Sequence, residues 1–77
     1  MHRIDKFLAQ LNPARREKVV AIAKRVRAGD FAGLDMKKLS GTLDQYRVRL
    51  GNIRIKFFMN DEGIVIFYIG YRDDHTY

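Results

Sequence analysis

The sequence predicts a small α+β fold: an N-terminal antiparallel helical hairpin packed on one face of an antiparallel sheet of about three strands. The chain of 77 residues has room for one small domain, so residues 1–77 are treated as a single unit. Apolar residues recur at helical spacing as far as Val26. From Tyr46 onward they alternate with charged residues, which is typical of strands that bury one face.

Two apolar stripes define the predicted helices. Asn12 between them is a favourable N-cap, and Pro13 suits the first position of the second helix. Gly29 is a natural left-handed stop for that helix. The stripe of the first helix consists of Ile4, Phe7, Leu8 and Leu11. The stripe of the second consists of Val19, Ile22, Ala23 and Val26.

The predicted outer face of the second helix is strongly basic. Its cations are Arg15, Arg16, Lys18, Lys24, Arg25 and Arg27. Two interpretations stay open, a solvated helix face and a surface that steers the protein toward a polyanion. After this helix, residues 30–44 are rich in turn formers and are predicted to be a connector, pinned to the core by a few apolar side chains.

The period of two begins after the connector and continues to the end of the predicted sheet. Tyr46, Val48 and Leu50 alternate with arginines, and Gly51-Asn52 is compatible with a type II′ hairpin turn. A second alternating strand follows from Ile53. The nearly continuous apolar run over 64–71 predicts a central strand buried on both faces.

The predicted hairpin gathers positive charge. A two-residue turn sets Leu50 opposite Ile53, and directly opposed residues share a face of the sheet. The cations then project from one face, and the apolar residues face the helices. These cations are Arg47, Arg49, Arg54 and Lys56. A plain solvent-exposed face is one interpretation, and an anion site that accepts an RNA backbone or an acidic protein segment is the other.

Composition narrows the function classes. The chain has a net charge of +6 and no cysteine, which excludes disulfides, zinc knuckles and thiol nucleophiles. The two histidines, His2 and His75, are too far apart in sequence to suggest a metal motif. No apolar run approaches the roughly 20 residues of a membrane span. We therefore expect a cytoplasmic protein with an anionic partner, no membrane contact, no metal and no cofactor.

Four ordered motifs in the second half carry a family resemblance. They are Lys37-Lys38-Leu39-Ser40-Gly41, Tyr46-Arg47-Val48-Arg49-Leu50-Gly51, Ile53-Arg54-Ile55 and Ile69-Gly70-Tyr71-Arg72-Asp73-Asp74. In this order and spacing the chain resembles the RelE/ParE superfamily of type II toxins. The resemblance implies a small sheet packed on two helices and an acidic antitoxin that neutralises the toxin.

The two branches of the superfamily imply different activities. A RelE-like toxin is a ribosome-dependent endoribonuclease that cleaves mRNA, and this branch is favoured here. A ParE-like toxin inhibits DNA gyrase and cuts nothing itself. A third alternative is a degenerate, non-toxic member that acts as a protein-binding module.

The resemblance also implies roles for individual residues. Arg54 and Arg72 match family arginines and are the candidate catalytic cations. Tyr77 matches a C-terminal tyrosine of RelE-like ribonucleases, and its candidate roles are to stack on a base, to orient the scissile phosphate or to donate a proton. His75, close to it in sequence, is the other candidate for proton transfer. The RNA phosphates would be bound by Arg47, Arg49 and Lys56. Cleavage by the 2′-OH needs a base, an acid and cations that stabilise the charged phosphate, and no metal is required. Of the aromatic residues, Phe58 and Tyr71 are predicted on the cationic side as base-stacking candidates.

One departure from the family bears on assembly. The family generally begins with a β-strand before the helical hairpin, whereas this sequence starts almost directly in the helix. A sheet edge and apolar surface are then expected to lie uncovered. A homodimer, a strand-swapped assembly or a strand from the antitoxin would cover that edge.

Overall fold

Two helices and an antiparallel four-stranded sheet form the part of the chain that this computed structural model describes, residues 3–71. The strand order is β1-β2-β3-β4, so each strand pairs with its neighbour in sequence. The helices are α1 (Arg3–Gln10) and α2 (Pro13–Arg27). The strands are β1 (Asp35–Lys38), β2 (Gln45–Leu50), β3 (Ile53–Asn60) and β4 (Gly63–Tyr71).

Both ends of α2 form where the sequence predicts them. The side chain of Asn12 accepts a hydrogen bond from the Arg15 amide at 2.8 Å, and Pro13 is the first helical residue. At the other end Gly29 takes a φ of 75° and donates to the Val26 carbonyl. The next amide donates to the third-last carbonyl of the helix, which completes a Schellman motif. Within residues 3–71, neither helix has the length and apolar character to cross a bilayer.

The core lies between the helices and one face of the sheet, as the alternation predicts. Val19 and Val26 of α2 are fully buried in the same apolar cluster as alternate residues of β2 and β3. Burial of such aliphatic side chains contributes roughly 1.5–3 kcal/mol each. The fully buried sheet residues are Val48, Ile53, Ile55 and Phe57. The opposite face of the sheet, which we call the outer face, is therefore left to charged and aromatic side chains.

The predicted connector contains a strand that the sequence analysis missed. Asp35–Lys38 pairs with β2 and becomes an edge of the sheet. Aspartate and lysine have low strand propensity, so no local signal marks this segment. The strand forms because β2 offers it an unpaired edge, and Met36 packs against the core.

The prediction for the last strand is wrong in one respect. β4 is not central among the described strands but lies at the edge opposite β1. Its two faces differ accordingly, since Ile69 is buried whereas Val65 is 62% exposed. The continuous apolar run predicts a strand buried on both faces, but only one face of β4 meets the core.

Candidate cationic site

The predicted cationic hairpin forms with the predicted register. Arg47 lies opposite Lys56 and Arg49 lies opposite Arg54, on the face away from the helices. Gly51 has a φ of 60°, and Asn52 does not have a positive φ, which fits a type II′ turn. The turn fixes the register, and the register brings the side chains together.

Strand β1 adds two charged residues to this face, the two that flank Met36 in sequence. Lys37 pairs with Arg47, and Asp35 pairs with Arg49. Five cations and one carboxylate thus share the outer face, which leaves a surplus of positive charge. We call this surface the cationic face; its cations are Lys37, Arg47, Arg49, Arg54 and Lys56.

Asp35 already holds two of the arginines. Its Oδ2 accepts from Nε of Arg49 at 2.7 Å, and its Oδ1 lies 3.5 Å from Nη1 of Arg47. The hydrogen bond from the Arg49 guanidinium holds the pKa of the Asp35 carboxyl below its ordinary value. The sequence analysis missed this carboxylate because it belongs to the segment predicted to be a connector. An incoming anion therefore meets arginines that are partly neutralised by the same chain.

Arg54 is oriented by the hairpin turn. Its Nη1 donates to the Gly51 carbonyl at 3.2 Å and approaches the carbonyl of Ile53 at 3.5 Å. These contacts direct the guanidinium toward the turn end of the cationic face. The ammonium of Lys56 lies 4.8 Å from the centre of the ring of Tyr68, its partner on β4.

Aromatic side chains continue the outer face beyond Lys56. A β-bulge in β4 makes Phe67 an extra residue between Ile66 and Tyr68, which pair with consecutive residues of β3. The bulge reverses the alternation from that point, so Tyr68 joins the outer face. The prediction that placed Phe58 there is confirmed, because it lies opposite Gln45 on that face.

The bulge also corrects the prediction for Tyr71. The sequence pattern predicts that residue on the cationic side, but it pairs with Ile53 on the helix side and its ring meets Phe7 edge-on at 5.0 Å. Strict alternation from Ile64 gives the wrong face for every residue after Phe67. Gly70, a lone glycine in an apolar run, was the signal that this strand is irregular.

The helix cations form a separate surface, and it is smaller than the sequence suggests. Arg16 folds onto the end of α1 and donates to the carbonyls of Leu8 and Leu11 at 2.9 and 2.8 Å. Arg25 forms a salt bridge with Asp30 at 3.1 Å. The exposed cations that remain on α2 are Arg15, Lys18, Lys24 and Arg27. Of these, Arg15 is hydrogen-bonded to Asn52 in the hairpin turn.

Three of the predicted catalytic residues, Arg72, His75 and Tyr77, lie outside the described residues. Their proposed roles therefore stay predictions. Within residues 3–71, no three histidine or acidic side chains are grouped so that they would hold a metal ion.

The fold of this chain is similar to that of a protein of known structure. No family model matches the chain, and no curated protein matches its sequence. Among solved structures, the chain is similar to one in the crystal structure of the RelB–RelE antitoxin–toxin complex from Methanococcus jannaschii. The TM-score is 0.71 and the identity 26%, over 87% of this chain and 81% of the other. Two helices packed on an antiparallel four-stranded sheet thus form a RelE-like toxin fold.

Proposed function

We propose that this chain is the toxin of a type II toxin–antitoxin pair and acts as a ribosome-dependent endoribonuclease on mRNA. The cationic face carries this proposal. Its five cations are held on one side of a RelE-like sheet by register, and three of them are arginines. Guanidinium groups bind phosphate in a bidentate manner that ammonium groups do not reproduce.

The proposed reaction needs no group from outside the protein and the RNA. The 2′-oxygen of one nucleotide attacks the adjacent phosphorus and loses its proton to a base. The bond to the 5′-oxygen breaks, that oxygen takes up a proton, and a 2′,3′-cyclic phosphate remains. Arg54 and Arg72 would stabilise the extra charge on the phosphate, with His75 and Tyr77 as the proposed proton-transfer groups.

An acidic antitoxin segment is the proposed inhibitor. The similar Methanococcus structure contains a toxin together with its antitoxin. In this chain two arginines of the cationic face, Arg47 and Arg49, already bind the Asp35 carboxylate. Carboxylates of a partner would compete with RNA phosphates for the same guanidinium groups. Binding of antitoxin and binding of RNA are therefore expected to be mutually exclusive.

Expression in a bacterial host tests the proposal. We expect the wild-type chain to arrest growth and to produce new mRNA 5′ ends in primer extension. Arg54→Ala should reduce cleavage by about 100-fold, as the loss of one preorganised donor commonly does. Lys24→Ala on α2 is the matched control and should remain as toxic as the wild type. Circular dichroism of each purified variant shows whether the fold survives.

Two results would contradict the proposal in different ways. Normal growth with intact mRNA, despite expression of folded wild-type protein, would remove the toxin assignment. Full cleavage by the Arg54→Ala variant would keep the toxin but remove the cationic face as its site.

A ParE-like gyrase inhibitor is the second candidate, and Asp35 favours it. The anion bound by Arg47 and Arg49 in this structure is a protein carboxylate, as it would be in a complex with an acidic protein surface. A supercoiling assay with purified gyrase separates the candidates. Inhibition of supercoiling without new mRNA ends would select the gyrase inhibitor.

A further inference from the structure

A groove opens on the outer face where the cationic face gives way to aromatic side chains. Its volume is about 380 Å³, within the range of small-molecule sites. Charged, amide, aliphatic and aromatic groups converge on it from α1, β2, β3, β4 and the loop after β1. The residues that line it are Arg3, Leu39, Gln45, Lys56, Phe67 and Tyr68.

A hydrogen bond and a close ring-to-backbone approach hold the floor of this groove in place. The Tyr68 hydroxyl donates to the Tyr71 carbonyl at 3.2 Å, and the ring passes over Gly70. A Cβ atom at Gly70 would lie 2.7 Å from Cζ of Tyr68, closer than side chains tolerate. The glycine therefore makes room for the ring, and the hydrogen bond holds it. A preorganised surface of this kind loses little conformational entropy when a ligand binds.

The β-bulge at Phe67 in β4 forms one wall of the groove. In a regular strand, consecutive residues point to opposite faces of the sheet. Because Phe67 is the extra residue, its ring and that of Tyr68 both border the groove. Phe67 is 38% exposed, and its centroid lies 4.5 Å from that of Phe58, which supports the ring from one side. Proteins that bind single-stranded nucleic acids combine exposed aromatic rings with nearby cations, and the groove has both.

We propose that this groove binds one nucleobase of a single-stranded RNA. The base stacks on Phe67, and the amide of Gln45 hydrogen-bonds to the base edge. Lys56 and Arg3 neutralise the flanking phosphates. This inference rests on the proposed function, because it assumes that RNA lies along the adjacent cationic face. It adds that the protein contacts bases and not only the backbone.

Phe67→Trp provides a direct probe. The sequence contains no tryptophan, so the substituted ring is the only indole in the protein. We expect hexamers of single-stranded RNA to quench its fluorescence. An abasic hexamer and inorganic polyphosphate should bind the cationic face without quenching the tryptophan fluorescence. Val65→Trp, on the same strand and outside the groove, is the matched control and should not respond.

Affinity measurements complete the test. Phe67→Ala should weaken binding of base-containing hexamers by about tenfold, the size expected for one stacked base, and leave binding of the abasic hexamer unchanged. Gln45→Ala should reduce the differences in affinity among the four homopolymer hexamers. The Phe67→Trp titration stays informative if Phe67→Ala folds poorly.

The outcomes separate this inference from the proposed function. If the wild type binds intact and abasic hexamers equally and Phe67→Trp shows no quenching, the nucleobase site is overturned while RNA binding stands. If the wild type binds neither RNA, the nucleobase site is overturned, and primer extension on mRNA from expressing cells decides the proposed function separately. Quenching of Phe67→Trp by polyglutamate to the same extent as by RNA would assign the groove to an acidic protein.

Discussion

Asp35 determines how many arginines of the cationic face are available to bind an external anion. It sits at the centre of a pair of salt bridges to Arg47 and Arg49. The Arg47 side chain is only 17% exposed, whereas that of Arg49 is 48% exposed. The pair to Arg49 is thus both the shorter, at 2.7 Å against 3.5 Å, and the more exposed to an incoming phosphate. A polyanion that binds Arg47 and Arg49 must compete with this carboxylate as well as with water.

Replacing this carboxylate should strengthen RNA binding. For Asp35→Asn we expect tighter binding of single-stranded RNA and a steeper dependence on salt. The slope of log K against log salt should steepen by about 0.7 for each arginine released, the value for one phosphate contact on a single strand. Fluorescence anisotropy at several salt concentrations measures this slope.

Asp30→Asn is the matched control for this prediction. Asp30 also forms a salt bridge with an arginine, Arg25, but at the end of α2 rather than on the sheet. The Asp30→Asn variant should leave the slope of log K against log salt unchanged. Weaker RNA binding by Asp35→Asn would show instead that the carboxylate positions the arginines for the phosphate.

The pKa of Asp35 gives the same pair a pH dependence. The Arg49 hydrogen bond lowers this pKa in the folded state, so the stabilisation by the pair is complete above the ordinary aspartate value. It is lost only as the pH falls through the lower, folded value. At neutral pH the carboxylate thus stays ionised and competes fully with phosphate.

At the scale of the elements, the helix ends and the hairpin were predictable because their signals are local. Asn12 and Gly29 mark the ends of α2, and Gly51 permits the turn. Once the turn is fixed, the register of β2 and β3 follows from counting residues outward from the turn along each strand. The four cations of the hairpin were predictable for the same reason.

The remainder of the site depends on contacts between segments distant in sequence. β1 has no strand signal of its own, so Asp35 was placed in a connector. The bulge depends on how β4 pairs with β3, and it decides that Tyr68 rather than Tyr71 reaches the outer face. A local period cannot show where an extra residue interrupts pairing.

The N-cap of α2 connects helix stability to the hairpin. Asn12→Ala removes the acceptor of the Arg15 amide and should lower the free energy of unfolding by about 1 kcal/mol. For a domain of this size that corresponds to a fall in Tm of roughly 4–8 °C. Thermal and urea unfolding followed by circular dichroism measure the change.

Asn12→Asp is the control because aspartate is an equally good cap and its charge suits a helix N-terminus. It should keep the wild-type Tm. Because Arg15 also donates to Asn52 in the hairpin turn, fraying of the first helical turn should shift the NMR signals of Asn52 in Asn12→Ala. Equal stability of the alanine and aspartate variants would show that the cap contributes nothing.

At the scale of the whole molecule, two basic surfaces face opposite directions. The cations of α2 lie on the helix layer, and the cationic face lies on the far side of the sheet. The described part of the molecule measures 24 Å along its shortest principal axis. Exposed charges are screened over about 8 Å at physiological ionic strength. Lys24 and Arg27, the helix cations away from the hairpin turn, therefore contribute to long-range attraction but not to the energy of a phosphate bound on the sheet, whereas Arg15 and Lys18 lie beside that turn.

Matched charge removals distinguish these roles. Lys37→Gln with Lys56→Gln removes two charges from the cationic face, and Lys24→Gln with Arg27→Gln removes two from the part of α2 away from the hairpin turn. The sheet variant should lower the magnitude of the salt slope for RNA by about 1.4, and the helix variant should leave it near the wild-type value. Anisotropy titrations of one RNA against both proteins measure the difference.

The comparison holds net charge constant, so only position distinguishes the two variants. Equal loss of slope in both would mean that RNA binds through overall charge, with no dedicated surface. A larger loss in the helix variant would move the anion site to α2. A loss confined to the sheet variant means that the hairpin register, and not the basic composition of the chain, creates the site. Composition alone then predicts that a polyanion binds, whereas the pairing of β1, β2 and β3 predicts where.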